Sequence, residues 1–167
     1  ADVGPTQPPR EVVRAVSIGD DGVITLGHDV ALDLGGIAKG FAAEMAAEVL
    51  MDAGPCLVNA GGDIATRGAP TPEGWPIGVT VADGELTIGL TGGAMATSGR
   101  DKRTWRSQGR ARHHIIDPMT LLPSESDILR ITVLAGDAVM AETFATALFV
   151  AGAEQAVDEA AALGLAA

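Results

Sequence analysis

The sequence is poor in cysteine, aromatic residues and positive charge, and each shortage excludes a class of protein. Cys56 is the only cysteine, so an intrachain disulfide and a metal site of the CxxC type are excluded. Aromatic residues make up 3% of the chain and tyrosine is absent, which leaves few side chains for stacking on a flat ring. The net charge of −11 argues against a nucleic-acid partner, and an anionic ligand would need local donors and a cation.

Long apolar runs are also missing from the chain. No run approaches the roughly 20 residues that cross a bilayer, so no transmembrane segment is predicted. The first residues are acidic and proline-rich, without a basic region followed by an apolar one, so no signal peptide is predicted among them. The 167 residues are 47% hydrophobic, which suits one domain with a sizeable core. Because Ala, Gly and Val are abundant, this core must pack small side chains.

The hydrophobic pattern predicts an α+β fold in which mostly antiparallel strands pack against a few helices. We interpret residues 1–10 as a tail and residues 11–167 as a single domain. Residues 100–112 form a polar segment that carries six of the eleven Lys and Arg. Asp83-Gly84 is a typical hairpin turn between two of the predicted strands. Short strands are predicted over 12–18, 23–26, 30–34, 56–59, 77–81, 86–90, 94–98, 113–116 and 128–134.

Three helices are predicted, and two of them have an apolar stripe. The first begins at Ala38 and stops at Gly54, and the third covers roughly 153–163. Asp137 is predicted to cap the second, which runs to about Val150. The inward stripe of the first helix is predicted as Ala38, Phe41, Ala42, Met45, Ala46, Val49 and Leu50. That of the second is predicted as Met140, Phe144, Ala147, Leu148 and Ala151, with Glu142 and Thr146 on a different face.

Residues 32–40 form the first segment that points to chemistry. A predicted strand leads through Asp33, Gly35 and Gly36 into a helix whose first turn carries Lys39. Such a turn lets the backbone approach a ligand closely, and a helix N-terminus attracts phosphate. The segment lacks the GxxxxGK[ST] pattern of a P-loop. Taken alone, the segment is more often a tight strand-to-helix turn with a solvated lysine.

Two further segments carry polar groups beside glycines. Gly62 and Asp63 follow a predicted strand, and the Asp63 carboxylate is a candidate acceptor for ribose or adenine, or a satisfied turn residue. Thr97, Ser98 and Gly99 end another strand, where hydroxyl and amide groups can hold phosphate oxygens.

The segment 113–118 contains two adjacent histidines and an Asp-Pro. His113 and His114 are successive residues of a predicted strand, so they point to opposite faces and are a poor pair of ligands for one metal. One of them beside a carboxylate is a candidate acid or base, or a structural hydrogen-bonding group.

Glu142 and Thr146 lie four residues apart on the second helix and therefore share a face. A carboxylate and a hydroxyl at one spot offer the hard oxygen ligands that Mg²⁺ prefers. The alternative is a solvated glutamate on an exposed helix face.

The order of these segments resembles the ApbE family of flavin transferases, over roughly residues 30–152. The blocks are DLGGIAKGFAAE (33–44), LVNAGGDI (57–64), ATSGRDKRTW (96–105), HHIIDP (113–118) and ITVLAGDAVMAETFATALF (131–149). The resemblance implies a magnesium-dependent FAD:protein FMN transferase. FMN is attached through a phosphoester to a Ser or Thr of an acceptor protein with a D-x-x-[ST]-G-A-[ST] motif, and AMP leaves. The alternatives are an FAD-binding module, an FAD pyrophosphatase without transfer, and a degenerate domain that only folds.

The resemblance also implies roles for individual residues. The metal ligands would be the Gly36 carbonyl, Glu142 and Thr146, and the catalytic residues Lys39, His114 and Glu142. The residues that would bind FAD are Asp33, Gly35, Gly36, Lys39, Gly62, Asp63, Thr97, Ser98, Gly99, His114 and Asp117.

Three departures from the family pattern affect these expectations. Glu142 stands where the family usually has an aspartate. Met119 and Leu121 replace an arginine and a turn glycine after Asp-Pro. Family members are also much longer, so we expect a fragment, one half of a cleaved protein or a reduced member without the N-terminal part. By resemblance the location is expected to be extracytoplasmic.

Overall fold

The computed structural model describes residues 16–28, 30–107 and 109–167, and in these ranges it shows an α+β fold. Every pair of neighbouring strands is antiparallel. The fold class predicted from the sequence is therefore confirmed. The predicted tail at 1–10 lies outside the described residues, and the division into tail and domain stays a prediction.

The strands are β1 (Val16–Ile18), β2 (Ile24–Leu26), β3 (Cys56–Ala60), β4 (Asp63–Arg67), β5 (Trp75–Val81), β6 (Gly84–Leu90), β7 (Gly93–Gly99), β8 (Thr104–Ser107), β9 (Arg110–His113), β10 (Ile116–Asp117), β11 (Leu122–Pro123) and β12 (Arg130–Ala135). The helices are α1 (Ala38–Leu50), α2 (Ala138–Ala151) and α3 (Ala153–Leu163), and a 3₁₀ turn covers Met51–Ala53. No helix among the described residues is both long and apolar enough to cross a membrane.

A four-stranded sheet, in the order β12-β7-β4-β3, forms the centre of the fold. Successive side chains along each strand of this sheet point to opposite faces. On β7, Ala94 and Ala96 belong to the core beneath the helices, whereas Met95 belongs to a second core with Ile77 and Leu90 of the β5–β6 hairpin. The sheet is thus covered by α1 and α2 on one face and by the β5–β6 hairpin on the other.

The core beneath the helices is built mostly from alanine. Its larger buried members are Val133 and Leu148, and the rest are alanines of the sheet and of all three helices. Because these side chains are short, the helices approach the sheet and one another closely. The prediction of a core of small side chains is confirmed.

Several strand predictions need correction. Residues 30–34 form no strand, because they lead directly into the turn before α1. Strand β4 was not predicted from the sequence, although it is a central strand whose residues Asp63–Thr66 are all buried. The polar segment 100–112 contains most of a hairpin, β8–β9. Of the first predicted strand, residues 12–15 lie outside the described range.

The inward face of α1 was also predicted wrongly. The buried residues are Gly40, Ala43 and Ala47, whereas Phe41, Met45 and Val49 are 56%, 50% and 74% exposed. Both stripes of this helix are apolar, so the period of hydrophobicity could not distinguish them. The stripe with the smallest side chains faces the sheet because only those side chains fit there.

On α2 the error concerns Glu142. Met140 is 44% exposed, and Glu142 lies on the buried face, where it is only 3% exposed. A solvated Glu142 is therefore excluded. The helix itself begins as predicted, because Asp137 Oδ1 accepts a 2.8 Å hydrogen bond from Met140 N.

Candidate functional site

Three charged side chains meet where α1 crosses α2 beside the start of β4. Lys39 on the first turn of α1 pairs with Asp63, the first residue of β4, and its Nζ lies 3.0 Å from Glu142 Oε1 on α2. Asp63 is 1% exposed and Glu142 3%, whereas the Lys39 side chain keeps 35% of its surface. One partly exposed cation therefore joins two buried carboxylates, and we call these residues the Lys39 cluster.

The two helices also hold each other through backbone groups. Gly40 N of α1 donates to Glu142 Oε2 at 2.8 Å, and Ala138 N of α2 donates to Glu44 Oε2 at 2.9 Å. Each helix thus places a carboxylate on a free N–H in the other helix's first turn, where the helix dipole favours negative charge. Arg67 of β4 pairs with Glu44 and fixes it in place. These contacts set the position of Glu142 relative to Lys39.

Gly40 is required by this crossing. A Cβ built on Gly40 would lie 2.3 Å from the Ala138 carbonyl oxygen and 3.1 Å from Glu142 Oε2. No side chain fits at that distance, so α1 and α2 meet with only glycine between their backbones.

The charges of the cluster shift two of its pKa values. Burial lowers the pKa of Lys39, but the hydrogen bonds and charges of Asp63 and Glu142 outweigh it, and the net effect is a raised pKa. Burial raises the pKa of the Asp63 carboxyl, and Lys39 opposes that shift only in part. Lys39 therefore stays protonated well into alkaline solution.

Thr146 lies one turn beyond Glu142 and contacts the end of β7. Its Oγ1 lies 3.0 Å from Ser98 Oγ, and a Cβ on Gly36 would lie 3.8 Å from the same oxygen. Thr97 is not part of this group, because its hydroxyl bonds Thr132 Oγ1 at 2.8 Å on the neighbouring strand. Ser98, Thr146 and Gly36 are thus brought together, while the Thr97 side chain points to the other face of the sheet.

The remaining predicted residues are held in turns. Asp33 Oδ1 accepts from Gly35 N at 2.8 Å, and Asp117 Oδ1 accepts from Met119 N at 2.8 Å. Gly62 has φ +108°, and its N–H donates to Asn59 Oδ1 at 2.8 Å. Gly99 ends β7, and a Cβ built on it would lie 3.1 Å from the Leu129 carbonyl oxygen, a tight contact. The structure gives Asp33 and Asp117 no contact with the Lys39 cluster.

The two histidines differ in burial, but not for the predicted reason. The predicted strand 113–116 is wrong, because β9 ends at His113 and His114 lies outside any strand. His113 is 8% exposed and its Nε2 lies 2.8 Å from the Ser124 carbonyl oxygen, so this nitrogen carries the proton. His114 is exposed. Partial loss of hydration, and then the positive charge of Arg103, lower the pKa of His114, and Lys39 contributes in the same direction. His114 is therefore neutral at pH 7 and lies within electrostatic reach of the cluster.

The oxygen atoms around Glu142 fit a hard cation better than a soft one. No group of three or more His, Cys, Asp or Glu side chains that could hold a metal occurs in the described ranges. Glu142 Oε1 is, however, buried without a well-formed hydrogen bond, although Lys39 is in ion-pair distance. With the Thr146 hydroxyl and the Gly36 carbonyl, this oxygen gives a set of the type that Mg²⁺ takes when phosphate completes the shell.

Sequence reasoning missed the residues that position the cluster. Four such residues were not predicted as site residues. Gly40 and Asn59 bond predicted residues directly, whereas Glu44 and Arg67 hold the start of α2 against α1. Gly40 carried a signal, because a glycine inside a helix is unfavourable and usually has a packing reason. Glu44 and Arg67 carried none, since their pairing depends on the tertiary structure.

Comparison with known proteins finds relatives named FAD:protein FMN transferase. The chain is 33% identical over 131 residues to an FAD:protein FMN transferase of Klebsiella pneumoniae, covering 74% of this chain and 40% of that protein. It is 34% identical over 141 residues to an FAD:protein FMN transferase of Haemophilus influenzae, covering 78% and 40%. The chain therefore spans about two-fifths of the length of these curated relatives.

Solved structures show the same fold. The crystal structure of the ApbE protein of Thermotoga maritima superimposes with a TM-score of 0.78 at 31% identity, covering 96% of this chain and 58% of that one. The apo flavinyl transferase ApbE of Pseudomonas stutzeri gives 0.77 at 26% identity, covering 91% and 49%. The family model named ApbE family matches residues 6–167, and the chain belongs to the ApbE family.

Proposed function

We propose that this chain carries the phosphate and metal site of a magnesium-dependent FAD:protein FMN transferase. The observation that carries the proposal is the Lys39 cluster, a cation held between two buried carboxylates beside the Ser98–Thr146 hydroxyl pair. This arrangement occurs in a chain whose relatives are named FAD:protein FMN transferase.

The proposed reaction is a phosphoryl transfer. A Ser or Thr hydroxyl oxygen of the acceptor bonds to the FMN phosphorus of FAD, the pyrophosphate bond breaks, and AMP leaves with the bridging oxygen. His114, neutral at pH 7, is the group that takes the hydroxyl proton. Lys39 offsets the charge of the pyrophosphate, which the protein's net charge of −11 would otherwise repel.

Glu142, Thr146 and the Gly36 carbonyl are the residues that would hold Mg²⁺, which neutralises charge on the phosphoryl oxygens when it is bound. Gly40 N orients Glu142 for that role through its hydrogen bond, and Glu44 fixes the start of the helix that carries Glu142. Glu142 has one methylene more than the family's usual aspartate. Its Oε2 accepts a hydrogen bond from Gly40 N.

The test is incubation of the chain with FAD, Mg²⁺ and a peptide containing the D-x-x-[ST]-G-A-[ST] motif. We expect the acceptor to gain the mass of FMN and AMP to appear, both of which mass spectrometry detects. FMN and AMP without an adduct would indicate an FAD pyrophosphatase. Binding without either product would indicate an FAD-binding module. The extracytoplasmic location remains part of this proposal.

Glu142→Gln is the variant that isolates the metal platform. We expect it to abolish the Mg²⁺ dependence of FAD binding, measured by flavin fluorescence with and without chelator. Glu48→Gln is the matched control, since it removes an equal charge from an exposed position on α1. Unchanged Mg²⁺ dependence in Glu142→Gln would show that α2 does not hold the metal. Glu142→Asp restores the family's usual residue and is expected to retain binding.

A further inference from the structure

The two oxygens of the Glu142 carboxylate have different partners. Oε2 accepts a 2.8 Å hydrogen bond from Gly40 N, which fixes it against α1. Oε1 is buried and accepts no well-formed hydrogen bond, and its charged neighbour is Lys39 Nζ at 3.0 Å. Because Oε2 is committed to the backbone, Oε1 is the oxygen that Glu142 can offer to a metal ion. The ammonium group of Lys39 therefore lies at the atom on which the proposed metal site depends.

Lys39 has a second partner that does not depend on Glu142. Its Nζ also pairs with Asp63, the first residue of β4, which is almost completely buried. The Lys39 side chain is partly exposed, and a lysine stem has four rotatable bonds. A small rotation can therefore take the ammonium group away from Oε1 without breaking the ion pair with Asp63.

The charges of the Lys39 cluster give a reason for such a movement. A buried carboxylate without a counter-charge is costly, so Glu142 needs a cation close to Oε1. Lys39 supplies one positive charge there, whereas a divalent ion brings two. An ammonium group and a divalent ion at the same oxygen also repel each other at short range, where little water screens them. The two cations are thus alternatives at this atom.

We propose that Lys39 and the divalent cation compete for Glu142 Oε1, an inference that rests on the proposed function. When the cation takes Oε1, the ammonium group leaves that oxygen, and Asp63 keeps the lysine beside the site. The charge of Lys39 then becomes available to the phosphate oxygens of FAD, which need it in a protein of net charge −11. Lys39 is thus a positioning residue for the metal, because it holds the Glu142 carboxylate and sets how tightly the ion binds.

The first test measures the binding of Mn²⁺ alone, an ion that suits the same oxygen ligands as Mg²⁺ and is followed by electron paramagnetic resonance. We expect Lys39→Met to bind Mn²⁺ about tenfold more tightly than the unmodified chain, because methionine offers no cation to Oε1. Lys102→Met is the matched control, since it removes the same charge from an exposed position between β7 and β8. A distant surface charge is screened by salt, so the control should change the affinity by less than about twofold.

The second test is a crystal structure of the unmodified chain with Mn²⁺, which decides the question even if Lys39→Met fails to fold. We expect Mn²⁺ at Glu142 Oε1, with Lys39 Nζ beyond the ion-pair distance of about 4 Å from this oxygen. The ion pair between Lys39 and Asp63 should remain. This structure also separates direct competition from a general effect of removing a positive charge.

The outcomes distinguish this inference from the proposed metal site. Mn²⁺ at Glu142 with Lys39 Nζ still against Oε1 would overturn the competition and leave the metal site intact. Equal Mn²⁺ affinities for Lys39→Met and Lys102→Met would do the same. Binding by Lys39→Met but not by the unmodified chain would support the competition in its strongest form. No Mn²⁺ binding by either chain, or Mn²⁺ bound away from Glu142, would overturn both proposals.

Discussion

Gly40 is the residue at which the two site helices come closest. Gly40→Ala places a methyl group against the Ala138 carbonyl oxygen at 2.3 Å, so α1 and α2 must separate. We expect a loss of about 1–3 kcal/mol of unfolding free energy, as for other overpacked sites, despite the better helix propensity of alanine. Urea denaturation measures it. Gly92→Ala is the control, because its Cβ meets no atom within 4 Å, and an equal loss there would contradict this account.

The raised pKa of Lys39 predicts that the folded protein loses stability in alkaline solution. Its pKa is raised in the folded protein, so its contribution is complete below the unfolded lysine pKa and disappears as the pH rises through the folded value. Lys39→Arg should abolish this loss, because arginine stays charged. Lys102 is the other lysine and tyrosine is absent, so few groups titrate in this range. Lys102→Arg should leave the alkaline loss intact when unfolding is followed from about pH 9 to about pH 12.

At the scale of secondary-structure elements, Glu44 links the two helices of the site. Its carboxylate joins α1 to the first turn of α2, and Arg67 holds it there. Glu44→Gln removes the charge from the α2 N-terminus, and we expect a loss of about 1 kcal/mol of stability together with weaker Mg²⁺-dependent FAD binding. Glu48→Gln changes the same arginine's other partner and serves as control. A loss of stability without any change in binding would show that Glu44 does not position Glu142.

The elements were largely predictable, and their faces were not. The helices at Ala38, Asp137 and 153–163 were found from their period and caps, and the β5–β6 hairpin from Asp83-Gly84. Strand β4 was missed because its alternation is hidden by a buried aspartate and by alanine. The burial of Glu142 was not predicted, because the sequence of α2 alone does not show that Lys39 and Gly40 of α1 contact this side chain. Local pattern fixes local structure, whereas burial depends on the partner element.

On the scale of the whole molecule, the exposed stripe of α1 is a large apolar surface. Phe41, Met45 and Val49 are each at least half exposed, and Leu34 nearby is 59% exposed. Contiguous apolar surface of this kind favours association, so we expect the isolated chain to self-associate as its concentration rises. Phe41→Ser with Met45→Ser should shift it toward the monomer in analytical ultracentrifugation. Leu86→Ser, an exposed leucine of the β5–β6 hairpin, is the control and should have little effect.

The alanine-rich contact between the helices and the sheet also bears on how this site can change over generations. Most nucleotide changes in an alanine or glycine codon enlarge the side chain, and positions such as Ala43, Ala47 and Ala141 have no exposed surface into which a larger one could turn. A lineage can therefore vary an exposed residue of the proposed site, such as His114, far more readily than the spacing of the helices beneath it. The exposed side chains of the site can therefore change, whereas the packing of the helices on the sheet cannot.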